Sequence, residues 1–245
     1  MQRKSIKIIM ESDDFEVLMQ MKIHDLALSN DIILVIVFIL LSVFAWVFRL
    51  NVPLFGKMIS HITSGEQRQS IFETTEKDSI LFNAFMVFQT ILLCSIFVFS
   101  VAFKYDIIQP EIVNIFLSIG FLFLLFLVFF LFKIVLYTTL GTFFIAKSTN
   151  KMLITNYQAL FCTWGVTLYL PVFGVLLFDS YLFVSFIFLI ISYLIFKVIF
   201  SFRFFYIFYN KNTGFLFLSL YLCAQEIVPL VFLYEGMVYT YNIMK

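Results

Sequence analysis

The residues best placed to do chemistry stand together near the C-terminal end of the chain. The stretch Tyr221-Leu222-Cys223-Ala224-Gln225-Glu226-Ile227-Val228-Pro229-Leu230 sets a carboxylic acid three residues before a proline, inside an otherwise apolar run. If Phe215–Leu233 spans a membrane, Glu226 lies roughly 16 Å along the helix axis from its start, near mid-bilayer. Pro229 has no N–H, so the carbonyl of Gln225 loses its intrahelical partner. One turn of helix then offers a carboxyl group, a side-chain amide and a freed carbonyl. Such a cluster can coordinate a cation or hold a proton on Glu226. It can equally act as a hydrogen-bonded acid that ties helices together, with Pro229 as a plain kink. Both readings stand.

Lys133 is the natural counter-charge. If the membrane part of its helix is Ile112–Phe132, Lys133 snorkels to the interface, which is the ordinary expectation for a lysine at a span's end. If that helix sits further inward, Lys133 faces Glu226. Pro171 frees the carbonyl of Thr167 in the same way as Pro229 does its own, and marks a second bending point. No H-E-x-x-H, G-x-S-x-G, Gly-rich phosphate loop or G-x-x-x-G motif is present, and no pair of intramembrane acids. His61 falls four residues after Lys57 with no second His or acid at metal spacing. No catalytic residue, metal site or cofactor is expected.

The elements that must position these residues follow from composition. Of 245 residues, 62% are hydrophobic and only 13% charged, against about half and a quarter in soluble domains. The mean hydropathy is +1.03. Such a chain cannot wrap its apolar surface around one aqueous core, so its solvent is lipid. A net charge of +1 gives no field suited to nucleic acid. Cys94, Cys162 and Cys223 each stand alone in an apolar segment and read as small buried hydrophobes.

The fold class is therefore all-α, a polytopic transmembrane bundle of six spans. Residues 1–31 form a polar arm and residues 32–245 the membrane domain. In the arm, Ser12-Asp13-Asp14 starts a short amphipathic helix carrying Phe15, Leu18, Met19, Ile23 and Leu26. It lies on the bundle or docks a partner. No signal-peptide cleavage pattern is seen, so Ile32–Phe48 is expected to be a retained anchor. Asn51–Ser79 is the longest loop, and Ile80–Phe103 the second span. Pro110-Glu111 opens a third helix whose apolar pattern continues past Lys133 to Ala146. At 1.5 Å per residue this reaches roughly 52 Å, beyond a ~30 Å hydrocarbon core, so it protrudes or breaks near Thr138–Gly141. Ala146–Tyr157 reads as a polar connection, Gln158–Phe178 as the fourth span, and Tyr181–Phe196, closed by Lys197, as the fifth. Phe200–Tyr209 reads as a helix extension or an interfacial segment, and Phe215–Leu233 as the sixth span.

Six spans put both termini on one side. Loops one-two, three-four and five-six carry Arg49, Lys57, Arg68, Lys77, Lys147, Lys151, Lys197, Arg203 and Lys211, while the opposite connections carry Lys104. The positive-inside rule places the richer loops in the cytoplasm and both termini outside.

This layout resembles a family of bacterial six-helix inner-membrane proteins known only as a domain of unknown function. The resemblance covers roughly residues 32–235. It rests on the basic loop after the first span, Lys133 in the long third helix, Arg203 after the fifth, and Tyr221-Leu222-Cys223-Ala224-x-Glu226-Ile227-x-Pro229-Leu230 in the last. It implies a bacterial inner-membrane location and this topology, and no activity. The function expected is a non-enzymatic component of a bacterial envelope or transport system. The alternative is a small secondary transporter or channel with Glu226 as its coupling site. The expected partners are the lipid bilayer and a protein met through the N-terminal arm or the cytoplasmic loops.

Overall fold

The computed structural model describes residues 30–52, 56, 76–105, 112–144, 147–178, 181–209, 231 and 233–239. These form α1 (Asn30–Leu50), α2 (Glu76–Lys104), α3 (Ile112–Phe144), α4 (Lys147–Thr167), α5 (Tyr169–Leu177), α6 (Leu182–Tyr209) and a short α7 (233–239). Five stretches are long and apolar enough to cross a membrane: Asn30–Leu50, Leu81–Lys104, Ile115–Thr139, Ile154–Leu177 and Leu182–Arg203. The sixth expected span, the N-terminal arm and most of the loop after α1 lie outside the described residues.

Neighbouring contacts give the helix directions. Phe38 meets Phe173 and Phe44 meets Tyr169, so α1 runs opposite to α5. Thr90 lies beside Gly165, and Lys104 Nζ donates to the Val175 carbonyl, so α2 runs parallel to α4 and α5. Tyr157 meets Phe200 and Trp164 meets Tyr193, so α6 is antiparallel to α4. The core divides accordingly. One half joins Ile33 and Val37 to Leu93, Ile96 and Phe99, to Ile115 and Ile119, and to Leu168 and Val172. The other half joins Ile91 to Phe130, Tyr137, Tyr157, Phe196 and Phe200, with Phe82, Met86, Ala159 and Cys162 alongside.

The share of each span that is buried identifies the centre. It is 56% in α2 and 50% across α4 and α5, against 17% in α1 and 11% in α6. Lipid tails are as apolar as the side chains they would replace, so contact between spans comes from close packing and polar ties. Gly165 supplies such packing, since a Cβ there would sit 2.9 Å from Cβ and 3.0 Å from Cγ2 of Thr90. Gly174 does the same against Ser185, whose Cβ lies 3.4 Å from the place a methyl group would take. Cys94 and Cys162 are free thiols.

Of the two courses open to the third helix, it takes the unbroken one, from Ile112 to Phe144, because no proline interrupts it and Gly141 alone is insufficient to break it. Two expectations about boundaries change. Residues 147–157 are not a loop but the opening turns of α4, since Ser, Thr, Asn and Lys without Gly or Pro do not stop a helix. Lys197 does not close the fifth span, because α6 continues through it to Tyr209. Between α4 and α5 the helix is interrupted at Leu168, three residues before Pro171. The next turn is re-formed by Val172 N–H bonding the Leu168 carbonyl at 3.1 Å. Thr167 Oγ1 donates to the Trp164 carbonyl at 2.7 Å just before Leu168.

Candidate functional site

Lys133 stands on the buried stripe of α3. Ile115, Ile119, Leu122, Phe130, Lys133 and Tyr137 recur at intervals of three, four or eight, and all are buried. The lysine is only 3% exposed, so its side chain is held within the bundle. It lies six residues before Thr139, where the span ends, or roughly 9 Å in.

Its surroundings are aromatic. Lys133 Nζ lies 5.5 Å from the centroid of the Tyr157 ring. That ring meets Tyr137 at 5.1 Å, Phe200 at 5.4 Å, Phe161 at 6.2 Å, and Phe130 and Phe196 both at 6.3 Å. Three helices contribute, with α3 giving Lys133, Phe130 and Tyr137, α4 giving Tyr157 and Phe161, and α6 giving Phe196 and Phe200. Asn156, beside Tyr157 in the chain, is buried as well. In the same cluster, Lys197 Nζ lies 5.3 Å from the Tyr193 ring and 5.9 Å from that of Phe196. Trp164 Nε1 donates to Ser192 Oγ at 3.2 Å, and Ser192 Oγ donates to the Leu189 carbonyl at 2.9 Å. This polar tie fixes α4 against α6 and holds Trp164 on Phe196 at 5.7 Å.

Two lysines therefore lie against rings of one cluster. An aromatic face attracts a cation by its quadrupole, contributing about 2 kcal/mol where water is excluded. It carries no net charge, so full compensation of a buried cation calls for an anion. Of the residues the sequence marks as one polar site, Lys133 is placed as described. Gln225, Glu226 and Pro229 lie outside the described residues, and Pro171 is buried in α5, beside Tyr169 and Val172 of the other half of the core. The aromatic settings of Lys133 and Lys197 were missed from the sequence. The spacing of Lys133 and Tyr137, one turn apart, was the available signal, but the partner rings come from α4 and α6. Among the described residues no group of three His, Cys, Asp or Glu side chains is placed to hold a metal ion. An open apolar groove of about 350 Å³ lies at the opposite end of the bundle, lined by Asp31, Ile32, Val35, Ile36 and Phe116.

The helices are those of a membrane protein, and the site is a lysine enclosed by rings between three spans. No curated protein and no solved structure matches the chain. A domain family described as a domain of unknown function, DUF4271, matches residues 32–237, and the chain belongs to that family.

Proposed function

We propose that this protein is a non-enzymatic integral component of a bacterial envelope or transport system, seated in the inner membrane. Its buried lysine serves as an internal tie between spans. The observation that carries this reading is the enclosure of Lys133, 3% exposed against Tyr157 among packed rings from α3, α4 and α6. A group that exchanges ions with water needs a wet approach, whereas rings at these distances favour a fixed charge. In this reading Glu226 is the anion that completes the tie. The orientation places both termini outside. Its support is the excess of basic residues that the sequence sets in and beside one set of connections, Arg49, Lys57, Arg68, Lys77, Lys147, Lys151, Arg203 and Lys211, with Lys197 and Arg203 both within α6.

The test uses the full chain in proteoliposomes with a pH-sensitive dye inside. A tie predicts no proton flux above empty vesicles, and a Glu226→Gln chain that still folds and inserts but unfolds more readily than the parent. It also predicts a stable complex with a partner protein after gentle extraction. Flux that is present in the parent and lost in Glu226→Gln would replace this reading with its alternative, a small secondary transporter or channel. That alternative draws support from the general rule that ionisable groups inside spans mark function.

A further inference from the structure

A second set of polar groups lies away from Lys133, in the seam between α1, α2, α4 and α5. Four side-chain atoms among the described residues are buried and find no hydrogen-bond partner in the protein: Asn30 Oδ1, Gln89 Oε1, Ser100 Oγ and Tyr169 Oη. Gln89 is 1% and Ser100 2% exposed. Their neighbours Thr90 and Ser95 satisfy themselves by bonding back to the Met86 and Ile91 carbonyls at 2.8 Å. The four unpaired atoms have no such solution.

Their positions are ordered. Asn30 begins α1. Ser100 lies one turn from Ile96, Phe97 and Phe103, in the half of the core that holds Ile33 and Val37. Tyr169 belongs to that same half, with its ring 5.9 Å from Phe44 of α1. Gln89 falls between Leu93 of that half and Met86, whose cluster brings in Phe44 and Val47 of α1 and Cys162 and Val166 of α4. Because α2 is parallel to α4 and α5, the sequence from the α1 start inward is Asn30, Ser100, Tyr169, Gln89. Ser100 and Gln89 share one face of α2, roughly 16 Å apart along the axis. The aromatic cluster around Lys133 contains none of the four.

A buried acceptor with no partner is costly in a medium without water, and native proteins meet that cost with internal solvent. Gln89 Oε1 accepts only, while Ser100 and Tyr169 both donate and accept. The ligand that fits all of them is small, neutral and able to do both. We infer that this seam holds internal water, bound at Asn30, Ser100, Tyr169 and Gln89, which leads from one end of the bundle towards its middle. The seam stands independently of the role given to Lys133.

The experiment is X-ray-driven hydroxyl-radical labelling of the full chain in lipid nanodiscs. Radicals form where water is, so Met86 and Tyr169 take label despite burial, and exposed Tyr105 serves as the control. Gln89→Leu is expected to bring Met86 labelling down to background and to lower Tm, because it removes a satisfied group. Ser100→Ala is expected to diminish labelling at Tyr169. Absence of label at Met86 and Tyr169 while Tyr105 labels normally would overturn the inference. So would a rise in Tm for Gln89→Leu, the result expected when a dry, unpaired amide is removed. If Gln89→Leu does not fold, labelling of the parent chain decides alone.

Discussion

Replacing Lys133 with methionine, which keeps its length and removes its charge, is the sharpest perturbation of the aromatic site. Three magnitudes separate the explanations. Loss of the contact with the Tyr157 ring alone, at 5.5 Å and 3% exposure, amounts to about 2 kcal/mol. Loss of one ordinary hydrogen bond between spans averages ~0.6 kcal/mol. Breaking a buried ion pair and stranding its partner costs about 3–5 kcal/mol. A Lys133–Glu226 tie therefore predicts a loss of about 3–5 kcal/mol for Lys133→Met, measured as unfolding free energy in mixed micelles. Glu226→Gln should lose somewhat less, because the amide still accepts a bond from the lysine. The double variant should be closer to the worse single variant than to the sum, with a coupling above about 1 kcal/mol. If the two losses add within ~0.5 kcal/mol, the pair does not exist and Lys133 is held by contacts other than Glu226.

Three further outcomes follow. Gly165→Ala drives a methyl group onto Thr90 and should cost about 1–3 kcal/mol, and Gly165→Ala combined with Thr90→Ala should recover much of it. Unfolding in mixed micelles measures both, and an unperturbed single variant would deny the close crossing of α2 and α4. Trp164→Phe keeps the ring on Phe196 but removes the bond to Ser192, for a loss of about 0.5–1.5 kcal/mol. A loss equal to that of Trp164→Ala would mean that the bond, not the ring, fixes α6. In a chain lacking its native cysteines, Leu50→Cys should react with an impermeant maleimide from one face of the membrane. Tyr105→Cys and Tyr181→Cys should react from the other, since α1 ends opposite to α2 and α5. Labelling of all three from one face would break the up-and-down order of the spans.

Much about this protein is fixed by composition and punctuation. A chain this apolar must dissolve in lipid, and the spans are separated where charge, Pro and Asn interrupt the runs. Pro171 falls three residues after Leu168, where α4 gives way to α5, because a missing N–H acts locally, whatever surrounds it. The boundaries that shift do so for reasons of the same kind. Residues 147–157 are polar, but polarity does not stop a helix, and Lys197 does not end α6 because a lysine with rings beside it can remain in a span.

Facing is what the sequence does not determine. In water, the buried side of a helix is apolar and the exposed side polar, so period and phase can be read from one chain. In lipid both sides are apolar, and in α3 Leu117, Leu124 and Val128 face outward while Ile119, Leu122 and Phe130 face inward, with nothing in residue type to tell them apart. Lys133 could therefore be seen as an ionisable group in a span but not assigned a side. Only the packing of α3 on α4 and α6 sets it on the buried stripe, against Tyr157, and only the crossing of α2 with α4 turns Gln89 and Ser100 inward. The residues that could do chemistry are legible in the sequence, but their surroundings come from helices distant in the chain, and contact between those helices is decided by tertiary structure alone.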